Sequence, residues 1–404
     1  MTQIGSFAAT GADTGRALDD LEAQVAAAGL SPGFVALFYG CCHDDRRIAD
    51  RIARSWPQAA LIGGTSCTGV MTQDGVFGAD AIGMLVVDDP AGDYGTAAGD
   101  LGAEPQEAAA AILKQALDDA GCPDELPELV WIYQAPGQEE AVIAGLRSVV
   151  GDRCPILGGS SADDAVAGQW RQMSHGQVLR NGLAVAVLFP SAGTSHAFQG
   201  GYQPTGAHGT VTAVGDPEPG CRQPGSRRIL TIDDQPAAEI YNVWTGNRIA
   251  GRLRTGGNIL AETTNCPLGI EAGRIDGMSQ YLLVHPDSVA PDGSITTFAR
   301  IEAGARIHAM TGDRRRLVER AGRVAVAAAA GLSGNGKGLA GSLLVYCAGC
   351  KIAVGDRMDD VVAEIRAGVG DRPFIGCFTF GEQGSLFDRN VHANLMISAV
   401  AFGR

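Results

Sequence analysis

The chain has 404 residues, 45% of them hydrophobic, with 57 glycines and a formal net charge of −14. That length holds two or three domains, and so acidic a balance excludes nucleic acid as a partner, because phosphate binding needs a basic face. The N-terminus MTQIGSFAATGADTG has neither a basic start nor an apolar core, no apolar run is long enough for a membrane span, and ten cysteines without a secretory signal point to free thiols in the cytoplasm.

Thr14 to Leu30 reads as a leading helix within residues 1–30, with Leu18, Leu21 and Val25 on one face. From Phe34 to Val87 the pattern is strand, helix, strand, strand. FVALFY is a short, nearly continuous apolar run, as in a buried strand. Ile48, Ile52 and Trp56 then recur at four-residue spacing, which makes one helical stripe. ALIGGTS returns as a second strand and AIGMLVV closes the unit. After a helix at Gln106 to Ala120, the same order repeats from Leu129 to Phe189, with Val142, Leu146 and Val150 on the helix stripe. Acidic residues stand at or near each helix start (Asp44-Asp45, Glu139-Glu140, Asp356), where the helix dipole favours them.

Past Phe189 the pattern changes. Gly200 to Gly225 is dense in Gly and Pro and marks a domain boundary. A strand-rich stretch runs from Ile259 to Ile307, with Tyr281–Val284 and Ile295–Ile301 expected as a hairpin around APDGS. Thr311 to Leu332 reads as a helix, SGNGKGLAG as a loop, and Leu343 to Phe402 as a third unit with Val361, Ile365 and Val369 on its helix. The expectation is an α/β protein of repeated strand-helix-strand-strand units forming mixed sheets. Its two domains are 31–225, with two units, and 226–404, with the strand-rich start and the third unit.

A strand-helix-strand unit makes its two strands parallel with a right-handed crossover, and open α/β sheets bind ligands beyond the carboxyl ends of such strands. Gly63, Gly64 and Thr65, with Gly158, Gly159 and Ser160, are therefore candidate ligand-binding positions; the glycines alternatively only make tight turns. In the third unit Cys347-Ala-Gly-Cys350 has CxxC spacing, which suits a redox pair, half a metal site or pocket-lining thiols. The motif is expected well before its helix, near Asp356. Glu382 is read at the place of Thr65 and Ser160, where a carboxylate could hold an amine or act as a base. His392 suits a ligand carboxylate, haem iron or a turn cap, and Cys41-Cys42-His43 is the other haem or metal cluster. The run Gly334-Asn-Gly-Lys-Gly338 follows a helix and precedes a strand, the wrong order for a phosphate loop. Arg227-Arg228 and Arg314-Arg315-Arg316 read as solvated basic clusters.

DDQPAAEIY, LLVYCAGCK and FTFGEQG followed by NVHANLMIS resemble the FIST sensory proteins, which pair an N-terminal and a C-terminal FIST domain. Cys347, Gly349, Gly381, Glu382, His392 and Asn394 fall on that pattern. Gly63-Gly64-Thr65-Ser66-Cys67-Thr68-Gly69 departs from the GCSTAGE-like string of many members. The resemblance implies a cytoplasmic sensor of a small ligand, amino acids being proposed for the family, that signals through a separate partner and carries no catalytic residue. One branch consists of haem proteins that sense nitric oxide and act on histidine kinases. Haem on His392 or His43 with a histidine-kinase partner is therefore one alternative, and a cysteine-dependent redox switch or enzyme is another.

Overall fold

A computed structural model describes residues 2–216, 225–275, 277–333 and 336–404. Residues 217–224 of the Gly- and Pro-dense boundary, and Gly334 and Asn335 of the glycine-rich loop, lie outside the described residues. The three expected units recur, and each begins one strand earlier than its apolar runs indicate. The first runs through strand Gln3–Thr10, helix Thr14–Ala28, strand Phe34–Tyr39, helix Asp45–Ser55, strand Ala60–Thr65, the hairpin Val70–Thr72 and Gly75–Phe77, and strand Ala81–Asp88. The second repeats this from Asp93–Asp100 to Gly182–Phe189, and the third from Thr194–Gly200 to Met396–Gly403. The opening strands of the three units are only half buried, so they lack the continuous apolar run that marks the others.

Within each unit two strands pair in parallel. Tyr39 comes opposite Thr65, Gln134 opposite Ser160, and Cys347 opposite Thr379. The free edge of the second parallel strand is not filled by its own unit. Gln172–Ser174 of the second unit pairs with Ala60–Thr65, Gly381–Leu386 of the third with Ile156–Ser160, and Val70–Thr72 of the first with Phe374–Thr379. Each unit thus lends a hairpin to the previous one in a closed cycle, and three open sheet edges are covered. Backbone bonds repeat the cycle at the strand ends: Ala162 N–H donates to Thr65 O (3.3 Å), Phe380 N–H to Ser160 O (3.0 Å) and Cys67 N–H to Phe378 O (3.0 Å).

The strand alternation sorts the core into layers. Phe34, Phe38, Trp131, Tyr133, Leu343 and Phe402 point inward, where the three sheets face one another. Val35 and Leu37 point outward onto the helices of the first unit, and Val130 and Ile132 onto those of the second. Both faces of these strands are buried, which is why they read as unbroken apolar runs.

The strand-rich segment, Gln203–Val214 to Arg306–Thr311, is inserted in the third unit between its first strand and helix Arg314–Ser333. It has its own core around Val211, Ile229, Tyr241, Ile295 and Ile307. Its hairpin differs in one respect from expectation. The strand across the APDGS turn from Ile295–Ile301 is Pro286–Val289, while Met278–Val284 pairs with Leu268–Ile275. The protein is a mixed α/β fold of several mixed sheets. Among the described residues no helix is long and apolar enough to cross a membrane.

Candidate functional site

The cyclic exchange redistributes the expected site residues over three strand ends of different character. In the third unit, strand Leu339–Cys347 passes directly into helix Ala348–Val354, so CAGC does stand at a strand-to-helix junction, with no gap before the helix. That helix seals the strand end. Cys347 and Cys350 are buried, and burial pushes the Cys347 thiol well above its ordinary range, away from the reactive thiolate. Glu382 is fully buried beside it. It takes bonds from Thr379 Oγ1 (2.8 Å) and Met396 N–H (3.0 Å), and burial with the neighbouring thiol pushes its carboxyl well above the usual range. Register corrects the sequence alignment here: Thr379, not Glu382, occupies the place of Thr65 and Ser160, and Glu382 lies on the lent hairpin opposite Gly159. Gly349 packs under Leu395, and Asn394 Oδ1 accepts the His285 N–H of the inserted segment at 3.2 Å. Lys351, on the outer side of the same helix, donates to Cys67 O, Thr68 O and Thr68 Oγ1 (2.5–3.2 Å), tying the third unit to the first.

The lent hairpin carries His392 and Gly381 away from CAGC to the second unit. There Glu139 and Glu140 open helix Glu139–Val150. Glu139 accepts from Ser160 Oγ (2.7 Å) and Arg227 Nη2 (2.6 Å); Glu140 accepts from His392 Nδ1 (3.0 Å) and Arg227 Nη2 (2.8 Å). Burial would raise both carboxyls. Arg227 and His392 outweigh it, and both are held below the usual range. The two glutamates and His392 offer ligand atoms within 4.8 Å of one another, but the Arg227 guanidinium already holds the place of a cation. The cluster ties the inserted segment, which supplies Arg227, to the second unit and to the third unit's hairpin. A hollow of about 300 Å³, bounded by Ala135, Pro136 and Gln138, lies just before the helix start that carries the two glutamates.

The predicted glycines face protein rather than open space. A Cβ on Gly63 would lie 1.7 Å from Leu37 O, on Gly64 2.9 Å from the Tyr133 ring, on Gly158 1.9 Å from Ile132 O, and on Gly159 2.4 Å from Thr379 Cγ2. Their bareness lets neighbouring strands and neighbouring units approach.

The strand ends of the first unit are open. A cleft of about 440 Å³ lies at the ends of Phe34–Tyr39 and Ala60–Thr65. Tyr39 and Thr65 form its floor and the helix start at Asp44-Asp45 one side. The other wall is the second unit's segment 163–171. The buried Asp163 carboxylate shapes that segment by accepting the N–H groups of Ala165, Ala167 and Gln169 (2.7–3.1 Å). Arg171 closes the wall onto Asp45 (Nε to Oδ2, 3.0 Å). The Tyr39 hydroxyl is buried among Asp45, Arg171 and Cys41, has no hydrogen-bond partner among the described residues, and is kept protonated by burial. Arg180 reaches the rim. Cys41 also lines the cleft, its thiol pushed up to about 11 by burial.

Two family models match this architecture. The FIST N domain matches residues 33–235, from the first parallel strand into the inserted segment, and the FIST C domain matches 237–385, ending inside the lent hairpin. The chain belongs to the FIST family. Among solved structures, the fold of this FIST protein is similar at low level to a cyanuric acid hydrolase from A. caulinodans (11% identity, 100% of this chain and 99% of that one, TM-score 0.34). It is also similar to PurLQS from Thermotoga maritima (8% identity, 77% and 72% covered, TM-score 0.22). No curated protein matches it.

The two candidate haem ligands of this FIST protein, His43 and His392, do not fit haem. His43 Nδ1 lies 3.2 Å from Thr14 Oγ1 and its Nε2 3.0 Å from Asp80 O, so both ring nitrogens are taken inside the fold. His392 spends Nδ1 on Glu140, and its Nε2 abuts Gly381, where even a Cβ would come within 2.7 Å. An axial ligand needs a free nitrogen facing a slot the width of a porphyrin; His43 has no free nitrogen, and the unpartnered Nε2 of His392 faces the Gly381 backbone. Tyr39, Arg171 and Arg180 escaped the sequence reading. Tyr39 was visible as a strand end, whereas the arginines sit in segments without periodicity.

Proposed function

We propose that this FIST protein senses a small polar ligand, amino-acid-like in size and charge pattern, in the cleft at the strand ends of the first unit. The observation that carries the reading is the Tyr39 hydroxyl: a buried donor left without a partner costs about 1–3 kcal/mol, and a ligand acceptor in the cleft relieves it. Arg180 supplies a cation for a carboxylate, and Asp44 and Asp45 supply negative charge for an amine. The cleft wall belongs to the second unit and its floor to the first, so a ligand bridges two units and favours one arrangement of them, the requirement for a signal. The reading places the protein in the cytoplasm, in keeping with the free cysteines of the described residues. It transmits to a separate partner, of the histidine-kinase class.

Isothermal titration with the twenty amino acids and small dicarboxylates tests this. Tyr39→Phe should weaken the binding ligand about tenfold while raising the ligand-free melting temperature by a few degrees, because it deletes an unsatisfied hydroxyl. Arg180→Ala should weaken carboxylate ligands without changing stability. A wild-type protein that binds none of these compounds, or a Tyr39→Phe variant that binds with unchanged affinity, would remove the cleft from consideration.

A further inference from the structure

Helix Arg314–Ser333 opens with three consecutive arginines and no acidic residue in its first turn. Cations at a helix N-terminus face the positive end of the dipole and cost stability. Arg320 and Arg323 extend the series along the face that carries Arg316, at spacings of four and seven. The described acidic partners fall short of the cations. Arg314 has Asp356 at 3.3 Å, Glu319 is shared by Arg315 (3.0 Å) and Arg323 (3.3 Å), Arg316 has Asp313 at 3.5 Å, and among the described residues Arg320 Nη1 bonds only the neutral Gln199 Oε1 at 2.9 Å. Burial, with the like charges of Arg323 and Arg316, pushes the pKa of Arg320 down. All this occurs on a chain whose net charge is −14.

These arginines line a groove. A hollow of about 270 Å³ is bounded by Arg315, Arg316, Arg320, Arg323, Glu319 and Tyr202. It adjoins a second of about 360 Å³, which shares Tyr202, Arg320 and Arg323 and is walled by Phe198, Tyr281, Leu283, Leu386 and Met396 together with the more polar run 278–280 and Gln199. The second hollow spans the third unit and the inserted segment, since Tyr281 and Leu283 come from strand Met278–Val284. The groove is therefore cationic at one end, and at the other its aromatic and aliphatic side chains stand among the polar groups of Gln199, Ser279 and Gln280.

We propose that this groove is a binding site for a small organic anion, a phosphate or carboxylate held in the fork of Arg320 and Arg323 with an apolar body against Phe198, Tyr281 and Met396. Guanidinium forks match the oxygens of such head groups two at a time. The head group also relieves the repulsion between Arg320 and its neighbours Arg323 and Arg316. The adjoining hollow is large enough for a bicyclic ring. This site lies on the helix of the third unit, apart from the first-unit cleft, and stands or falls independently of it.

Calorimetric titration of the full chain with 1-naphthyl phosphate, 1-naphthoate, inorganic phosphate and 1-naphthol tests both halves of the site. At least one naphthyl anion should bind at least tenfold more tightly than inorganic phosphate and than the neutral 1-naphthol, with affinity falling as salt rises. Arg320→Gln should lose at least tenfold for the naphthyl anion, Arg320→Lys should lose less, and Tyr281→Ser should narrow the gap to inorganic phosphate. Tyr39→Phe should leave all four affinities as they are. Retained cooperative melting certifies the variants, and wild-type binding keeps the test open if one fails to fold. Neither naphthyl anion binding saturably, 1-naphthol binding as well as the anions, or a folded Arg320→Gln with unchanged affinity would each overturn the proposal.

Discussion

Glu382 shows how one side chain can change meaning between sequence and structure. On the sequence it is the lone carboxylate of a glycine-bearing loop; in the fold it is fully buried beside Cys347, with its carboxyl pushed well above the usual range. A neutral acid satisfies this place, since one oxygen accepts from Met396 N–H and the protonated one can donate to the Thr379 hydroxyl, which turns to receive it. The linkage has a definite sign. The folded state holds a proton that the unfolded state releases above its ordinary carboxylate pKa, so stability from this group is present in acid and is lost as pH rises. Glu382→Gln keeps the shape and both hydrogen bonds without the proton. Chemical denaturation from pH 4.5 to 7.5 should therefore show the variant gaining on the wild type with rising pH, by up to about 1.4 kcal/mol per pH unit. A pH-independent difference between the two would mean that Glu382 is ionised in the fold.

At the scale of elements, the buried parallel strands and their helices were legible because both faces of each strand and one stripe of each helix meet hydrocarbon. Gln3–Thr10, Asp93–Asp100 and Thr194–Gly200 were not, being half-exposed outer strands. Helix Ala348–Val354 was missed because seven residues carry too little periodicity. The site was less legible than the fold. His392 and Glu382 lie ten residues apart on one hairpin, yet the hairpin delivers His392 to Glu140 while Glu382 stays near Cys347, and no spacing rule reports which sheet a hairpin joins. The glycines recur for the same long-range reason. At Gly159 the nearest obstacle is a methyl of another unit, Thr379 Cγ2, 2.4 Å from where a Cβ would stand, with Thr379 Cβ at 3.0 Å and Oγ1 at 3.3 Å. Gly159→Ala should cost about 1–3 kcal/mol by overpacking, and adding Thr379→Ser, which deletes that methyl and keeps the hydroxyl, should restore most of it. Costs that simply add would show that the contact between units is not the cause.

At the scale of the molecule, the cycle of lent hairpins makes the three units mutually dependent. A chain cut between the second and third units, into 1–192 and 193–404, divides no strand or helix. The first piece would still lose the hairpin Gly381–Leu386 and Arg389–Ala393 from the edge of Ile156–Ser160, together with the Asn390 side chain that bonds Ile156 N–H and Cys154 O. It would also lose Leu343, Ile375 and Phe402, which face Phe34, Phe38, Trp131 and Tyr133 across the central core. Each large side chain so uncovered forfeits roughly 1.5–3 kcal/mol of burial, and a few of them together match the whole stability of an ordinary domain, about 5–15 kcal/mol. The second piece loses Val70–Thr72 from the edge of Phe374–Thr379, so it too is left with an open strand. Expressed alone, 1–192 should bind a hydrophobic dye and melt without a cooperative transition. Co-expressed with 193–404, it should form a one-to-one complex that melts in a single step near the temperature of the intact chain. A sharp melt and dispersed amide spectrum for 1–192 alone would show that the two units carry their own core, and that a ligand bridging units need not be felt through the whole ring.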